Sequence, residues 1–242
     1  MLQLKDFSAF YGSHFILDKV DASFKCGMST ALIGRNGTGK STLLRAMAGL
    51  NKNYTGTVSV DGRDIKDIRG DRMARLVSFV TTERTRVSNL MCRDVVALGR
   101  APYTNWIGHM QPADMAIVEE SLHRVGMGDY ATRTMDTMSD GECQRIMIAR
   151  ALAQDTPVMM LDEPTSFLDL PNRYELARLL SRLAHDADKC IIYSTHELDI
   201  ATRMCDSIAL IDNQKLIHLP AEEMNREGHI RRLFNLDDIL CP

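Results

Sequence analysis

The chain has 242 residues, of which 45% are hydrophobic and 25% charged, and its formal net charge is −3. This length is sufficient for one large domain with a sizeable core. A mildly acidic chain without a basic block gives no electrostatic basis for nucleic-acid binding. Six scattered cysteines without a C-x-x-C pair are typical of reduced thiols in a cytosolic protein. With no signal-peptide pattern and no apolar run of about 20 residues, we expect a soluble protein.

The first third of the chain predicts mainly strands. Alternating stretches at Leu2–Phe10 and Val20–Phe24 indicate an antiparallel sheet. A buried-type strand at Thr30–Ile33 is followed by a glycine-rich loop and by a helical stretch at Ser41–Ala48. The segment GTVSVDGRDI predicts a hairpin that turns at Asp61-Gly62.

The glycine-rich loop reads LIGRNGTGKSTLL and fits the spacing G-x-x-x-x-G-K-[ST]. It stands between an apolar strand and a helix, which is the context that this phosphate-binding motif requires. Its glycines let the backbone amides point inward at an anion, and the helix start adds a partial positive charge. Lys40 would bind the β- and γ-phosphates and the Ser41 hydroxyl would hold Mg²⁺. The motif therefore predicts a nucleoside triphosphate site.

The remainder of the chain is predicted to be α/β with a helical insertion. Residues from about Asp94 to Leu152 follow a mostly helical pattern. Strands and helices then alternate, which favours a parallel sheet covered on both faces. The predicted strands are Val158–Leu161, Cys190–Ser194 and Ser207–Ile211, and the predicted helices are Arg173–Ala184 and Leu198–Met204.

Polar residues follow two of these strands. Asp162 and Glu163 end the apolar run VMML, where carboxylates face the ligand crevice of an α/β protein. Asp162 suits Mg²⁺, and Glu163 suits a water-activating role. His196 follows the strand CIIYS, although Ser194 and Glu197 also match a helix-capping pattern in which a histidine only fills the first turn.

With these motifs in order, the chain resembles the ATPase subunit of an ABC transporter. IGRNGTGKST resembles the Walker A loop, VMMLDEP the Walker B strand, SFLD the D-loop and STHEL the switch-histidine loop. MSDGE, which also has a capping-box pattern, aligns with the LSGGQ signature. The resemblance implies a P-loop NTPase with a RecA-like parallel core, an N-terminal antiparallel β-subdomain and a helical signature subdomain. The core and β-subdomain would occupy about 1–82 and 155–242, and the helical subdomain about 83–154.

The resemblance also implies roles for particular residues. Glu163 and His196 would be catalytic, and Mg²⁺ would be held by Ser41 and Asp162, with Thr82 where the family carries a glutamine. Ser139 and Gly141 would act on ATP held by the opposite subunit of a head-to-tail homodimer. The full set expected to contact ATP is Tyr11, which would stack on adenine, with Gly34, Asn36, Gly37, Thr38, Gly39, Lys40, Ser41, Thr42, Ser139, Gly141 and Asp169.

Two departures from the family pattern affect this interpretation. Asp140 and Glu142 replace the first glycine and the glutamine of the signature, and acids there favour the helix dipole but oppose a phosphate. Thr82 replaces the glutamine that contacts Mg²⁺ and senses the permease. Either Thr82 acts through a water molecule or the neighbouring Glu83 reaches the metal.

The segment LGRAPY and the later DLPNRYEL resemble the branch that serves iron-siderophore, haem and cobalamin importers. This implies a peripheral subunit on the cytoplasmic face of the inner membrane. Its partners would be integral permease subunits and, indirectly, a periplasmic or surface solute-binding protein. A soluble ABC ATPase without a permease and a nucleotide-dependent regulatory protein with little hydrolysis stay as alternatives, and an exporter fits the branch markers less well.

Overall fold

The computed structural model describes residues 1–12, 14–83, 89–105 and 108–235, with the side chains of Tyr11 and His14 outside the description. Within these ranges the strands are Leu2–Tyr11 (β1), His14–Phe24 (β2), Met28–Gly34 (β3), Tyr54–Val60 (β4), Arg63–Asp64 (β5), Val77–Val80 (β6), Val158–Leu161 (β7), Cys190–Ser194 (β8), Ser207–Asp212 (β9) and Lys215–Pro220 (β10). The α-helices are Lys40–Met47 (α1), Gly70–Met73 (α2), Cys92–Ala97 (α3), Pro112–Arg124 (α4), Asp140–Ala153 (α5), Leu170–Asp186 (α6), Leu198–Met204 (α7), Ala221–Arg226 (α8) and His229–Phe234 (α9).

The strands form two sheets. One is antiparallel with the order β2-β1-β4-β5, and the hairpin predicted at Asp61-Gly62 joins its last two strands. The other has the order β10-β9-β3-β8-β7-β6, in which all neighbours are parallel except the edge strand β10. The predicted α/β fold class, with a parallel core and a separate antiparallel sheet, is confirmed.

The parallel sheet is buried on both faces, and its strands are accordingly apolar at successive positions. Along β7, Met159 and Leu161 join the cluster that contains α4, α5 and α6. Val158 and Met160 point the other way, into the cluster with α1 and the antiparallel sheet. The same alternation holds along β8 and β9. The sheet is therefore the middle layer, and its strand ends are the part left accessible for a ligand.

Among the described residues between β6 and β7, the structure has α3, α4 and α5 with 3₁₀ turns at Leu98–Tyr103, Gly128–Tyr130 and Met135–Thr137. This helical segment packs on the same side of the parallel sheet as α6. In the described part of the chain, no helix combines the length and the apolar character needed to cross a lipid bilayer.

Candidate functional site

Four parallel strands bring the predicted site residues to one edge of the sheet. Strand β3 ends at Gly34 and pairs with β8, so that Leu32 lies opposite Ser194. Leu161 of β7 lies opposite both Tyr193 of β8 and Val80 of β6. Because the carboxyl ends of parallel strands meet at a common edge, the loops that follow them form a single site.

The glycine-rich loop wraps around the ammonium group of Lys40, which is buried at the start of α1. Its Nζ donates to the carbonyl oxygens of Gly34 (3.0 Å) and Arg35 (3.3 Å). Burial lowers the pKa of Lys40, and the carboxylates of Glu163 and Asp162 oppose that shift. Gly39 has φ 91°, and a Cβ there would lie 2.1 Å from Cγ2 of Ile16. Only glycine permits both this turn and this contact.

A network of oxygen atoms surrounds Asp162. Its Oδ1 accepts hydrogen bonds from the hydroxyls of Ser41 (2.9 Å) and Ser194 (2.8 Å). The Thr82 hydroxyl donates to the main-chain carbonyl of Asp162 at 2.9 Å. A carboxylate and hydroxyls are hard oxygen ligands, and Mg²⁺ is commonly held by one or two carboxylates together with substrate phosphates. This donor set therefore fits Mg²⁺. Within the described residues no group of three or more His, Cys, Asp and Glu side chains forms a metal cage.

Glu163 and His196 are in direct contact beside this network. Nε2 of His196 lies 2.5 Å from Oε1 of Glu163, and the Ser166 hydroxyl donates to Oε2 at 3.2 Å. Glu163 has φ 47°, and its amide donates to the Ser194 hydroxyl at 2.8 Å. A left-handed non-glycine residue costs free energy and is frequent at functional sites.

The interpretation of Ser194 and Glu197 as a helix cap is wrong. Helix α7 begins at Leu198 after Glu197, with no side-chain cap. The Ser194 hydroxyl is already used by Asp162 and by the amide of Glu163. The contacts with these strand-end residues exclude the simple cap.

A cavity of about 750 Å³ opens at this edge of the sheet. Its lining includes seven consecutive loop and helix residues of the predicted set, from Asn36 to Thr42, together with Glu163 and His196. Phe15, about half exposed and with its ring centroid 4.7 Å from that of Phe10, also lines it. The side chain of Tyr11, predicted to stack on adenine, is outside the described part of the structure. Sequence reasoning missed Phe15, Ile16 and the turn at Asn213-Gln214, because β2 and the β9–β10 turn reach the loop only in the folded chain.

Six predicted residues do not line this cavity in their own chain: Gly34, Thr82, Asp162, Ser139, Gly141 and Asp169. The first three belong to the hydrogen-bond network beside it. Ser139 and Gly141 lie at the start of α5, and Asp169 caps α6 by accepting from the amide of Asn172 at 3.1 Å. The capping box predicted at Ser139 and Glu142 is present, with the Ser139 hydroxyl donating to Oε2 of Glu142 at 2.7 Å. The amide and hydroxyl of Ser139 lower the pKa of Glu142, so its carboxylate is charged at neutral pH.

Residues 17–166 match the family model described as ABC transporter. The chain belongs to this family, and it is an ATPase whose activity is coupled to transport.

Curated relatives extend over nearly the whole chain. An uncharacterised ABC transporter ATP-binding protein of Methanocaldococcus jannaschii is 39% identical over 98% of this chain and 82% of its own length. The achromobactin transport ATP-binding protein of Dickeya dadantii is 37% identical over 96% of this chain and 87% of its own length. A cobalamin import ATP-binding protein of Halobacterium salinarum is 38% identical, covering 81% of this chain and 49% of its own.

Solved structures share the fold. A metal-chelate type ABC transporter in an inward-facing conformation has a TM-score of 0.84 at 24% identity, covering 97% of this chain and 88% of that chain. A bacterial ABC transporter cassette solved as a dimer has a TM-score of 0.76 at 25% identity, covering 91% and 99%.

Proposed function

We propose that the chain powers an importer of a metal chelate, with an iron-siderophore as the first candidate and haem or cobalamin as the others. The relative from Dickeya dadantii is named for achromobactin transport and the one from Halobacterium salinarum for cobalamin import, which supports a metal-chelate cargo. Haem rests on the family resemblance of the sequence alone. One observation carries the ATP-hydrolysing part of the proposal. The oxygen network around Asp162 lies beside the loop that holds Lys40. Ser41 of that network, Glu163 and His196 line one cavity together with the loop.

In this proposal the loop binds the triphosphate. Lys40 binds the β- and γ-phosphates, while the amides from Gly37 to Gly39 and the first turn of α1, which includes Thr42, surround the phosphate chain. Adenine stacking is assigned to Tyr11, and Phe15 offers an aromatic ring at the cavity. Burial of Lys40 strengthens its attraction for phosphate because the local dielectric is low.

The residues for hydrolysis are Glu163 and His196. Glu163 takes the proton of the attacking water, whose oxygen forms a bond to the γ-phosphorus as the bond to the ADP oxygen breaks. His196 holds the Glu163 carboxylate and contacts the γ-phosphate. Ser41, Asp162 and Thr82 hold Mg²⁺, which supplies positive charge to the phosphate oxygens when it is bound.

The active species is a homodimer with composite sites. Ser139, Gly141 and Asp169 lie outside the cavity of their own chain and would serve the partner's nucleotide. A related cassette has been solved as a dimer, which supports this arrangement. Residues 83–154 would form the helical subdomain, and 1–82 with 155–242 the core and β-subdomain. The dimer would sit on the cytoplasmic face of the membrane beneath its permease, with a solute-binding protein outside and no nucleic-acid partner.

Glu163→Gln tests this proposal. The variant should lose at least 90% of Mg-ATPase activity, because an amide cannot take the proton of water, while still binding ATP and forming an ATP-dependent dimer. Glu119→Gln, which alters an exposed carboxylate on α4, should retain wild-type activity. Hydrolysis by Glu163→Gln at the wild-type rate would remove Glu163 from this role.

Cargo is tested by uptake of labelled ferric siderophore, haem and cobalamin in a strain lacking the gene. We expect one uptake to fail and to be restored by the wild-type gene but not by Glu163→Gln. If all three persist and redundant systems are excluded, the importer assignment is wrong.

A further inference from the structure

Arg35, the second residue of the phosphate loop, reaches the C-terminal helix α9. Its Nε and Nη2 both donate to the main-chain carbonyl of Leu233, at 3.0 and 2.6 Å. Leu233 lies in the last turn of the six-residue α9, where carbonyl groups lack partners within the helix. A cation at this end also meets the negative pole of the helix dipole. The guanidinium therefore satisfies both the hydrogen bonding and the charge of this helix end.

Helix α9 is itself fixed to the body of the protein. Ile230 is 4% exposed and Leu233 is 7% exposed, and both pack in the core cluster that includes Met224 of α8 and Ile208 of β9. The helix is thus an anchor docked by apolar contacts. It does not depend on Arg35 alone for its position.

The main chain of Arg35 belongs to the nucleotide loop. Its carbonyl oxygen accepts from the amide of Thr38 (3.3 Å), the hydroxyl of Thr38 (2.9 Å) and Nζ of Lys40 (3.3 Å). One residue therefore joins the cage around Lys40 to a helix that lies 198 positions further along the chain.

We propose that Arg35 is a positioning residue through which docked α9 holds the phosphate loop in its binding conformation. The inference rests on the proposed function only in that the loop binds the phosphates of ATP. A loop that is already ordered loses less conformational entropy when a ligand binds, so anchoring it raises affinity. Loosening α9 should lower nucleotide affinity although α9 does not line the cavity.

A double-mutant cycle tests this coupling, with the dissociation constant of Mg-ADP as the measurement. The four proteins are the wild type, Arg35→Ala, a chain ending at Gly228, and the combination. Each single change should weaken Mg-ADP binding roughly three- to tenfold, because the charged hydrogen bonds from Arg35 to the carbonyl of Leu233 are lost. The combined variant should bind Mg-ADP no more weakly than the weaker-binding of the two single variants, because both changes remove the same connection between the loop and α9. Arg35→Lys, which can still donate to Leu233, should recover part of the loss.

Arg231→Ala is the matched control, since it removes an exposed arginine from α9 and leaves the bond to Leu233 in place. It should bind Mg-ADP like the wild type. The proposal is overturned if Arg35→Ala binds normally, or if it weakens binding by the same factor in the shortened chain, because Arg35 would then act directly on the nucleotide.

Amide exchange in the full-length protein covers the case in which the shortened chain does not fold. Arg35→Ala should speed exchange both at residues 36–40 and at residues 229–234. Unchanged exchange in both segments would overturn the coupling. Failure of the wild type to bind any Mg-nucleotide would contradict the proposed function instead, so the two failures are distinguishable.

Discussion

One buried hydroxyl holds both acidic residues of the site in place. Ser194 is fully buried, and its Oγ donates to Oδ1 of Asp162 and accepts from the amide of Glu163, both at 2.8 Å. Ser194 therefore fixes the carboxylate of Asp162, which is expected to bind the metal. It also fixes the main chain of Glu163, whose carboxylate is expected to act on the attacking water. A small displacement of either group is costly for a reaction that depends on alignment.

Ser194→Ala should lower kcat for ATP hydrolysis by roughly one to two orders of magnitude with a smaller change in KM, because the binding loop stays intact. It should also lower the free energy of unfolding by about 1–3 kcal/mol, since the Glu163 amide loses its buried acceptor. Steady-state kinetics and urea unfolding measure the two effects. Ser78→Ala is the control, because Ser78 lies in β6 of the same sheet, is equally buried and accepts a hydrogen bond from the Thr156 hydroxyl. An equal loss of kcat in Ser78→Ala would show a general effect of sheet stability.

At the residue scale, the sequence predicted what local spacing determines. The loop glycines, Lys40 and Ser41 follow from one short motif, and the capping box at Ser139 follows from another. The partners of Ser194 and Thr82 lie in the loop after β7, and the partner of Arg35 lies on α9, so no local pattern could indicate them. The wrong capping interpretation of Ser194 has the same origin.

At the scale of elements, the buried side chain of Arg100 joins the 3₁₀ turn Leu98–Tyr103 to α4 by an ion pair and to α5 by a hydrogen bond. Arg100 Nε donates to Oδ1 of Asp114 at 2.9 Å, and its Nη1 donates to the carbonyl of Ala153 at 2.9 Å. Both charged residues are buried. The backbone amide of Gln111, followed by Arg100, lowers the pKa of Asp114 below its usual 3.8. This part of LGRAPY therefore fastens three elements of the helical segment together.

Asp114→Asn should lower the free energy of unfolding by about 3–5 kcal/mol at neutral pH, because the charge of Arg100 stays buried without its partner. Arg100→Met combined with Asp114→Asn should recover part of that loss. The depressed pKa means that Asp114 contributes stability above about pH 4, which is lost as pH falls through its folded-state value. Stability below pH 4 should therefore fall less steeply in Asp114→Asn than in the wild type.

Urea unfolding between about pH 2.5 and 7 tests both statements. Glu120→Gln is the comparison, because Glu120 pairs with Arg124 on the exposed surface of α4 and such pairs contribute less than about 1 kcal/mol. If Asp114→Asn costs no more than Glu120→Gln, the pair does not fasten these elements.

The elements that the sequence predicted are those with a strong apolar pattern. β7, β8 and α7 have the predicted bounds, and α6 extends beyond the prediction to Leu170–Asp186. β10 is an edge strand of mostly half-buried residues, and α8 and α9 have six residues each. These three elements, unlike the core strands, needed the folded chain to be recognised.

At the scale of the whole molecule, Gly141 raises a question that its own chain does not answer. A Cβ at this position would meet only ordinary contacts, with Cδ2 of Leu168 at 3.6 Å and Cγ of Asn172 at 4.0 Å. Alanine is about 1 kcal/mol more favourable than glycine inside a helix. The fold of one chain therefore favours alanine, and a requirement for glycine would come from a molecule outside it, which in the proposed dimer is the partner's nucleotide.

Gly141→Ala should accordingly act in opposite directions on the monomer and the dimer. The monomer's free energy of unfolding should stay constant or rise by up to about 1 kcal/mol. ATP-dependent dimerisation of the Glu163→Gln protein should weaken by about tenfold or more, because the added methyl crowds the interface at a cost of about 1–3 kcal/mol. Sedimentation with and without Mg-ATP measures the dimer. Gly70→Ala at the start of α2 is the matched control, since a Cβ there meets nothing within 4 Å. If Gly141→Ala dimerises normally, the start of α5 does not contact the partner's nucleotide. If the variant destabilises the monomer, glycine is required by the fold of its own chain.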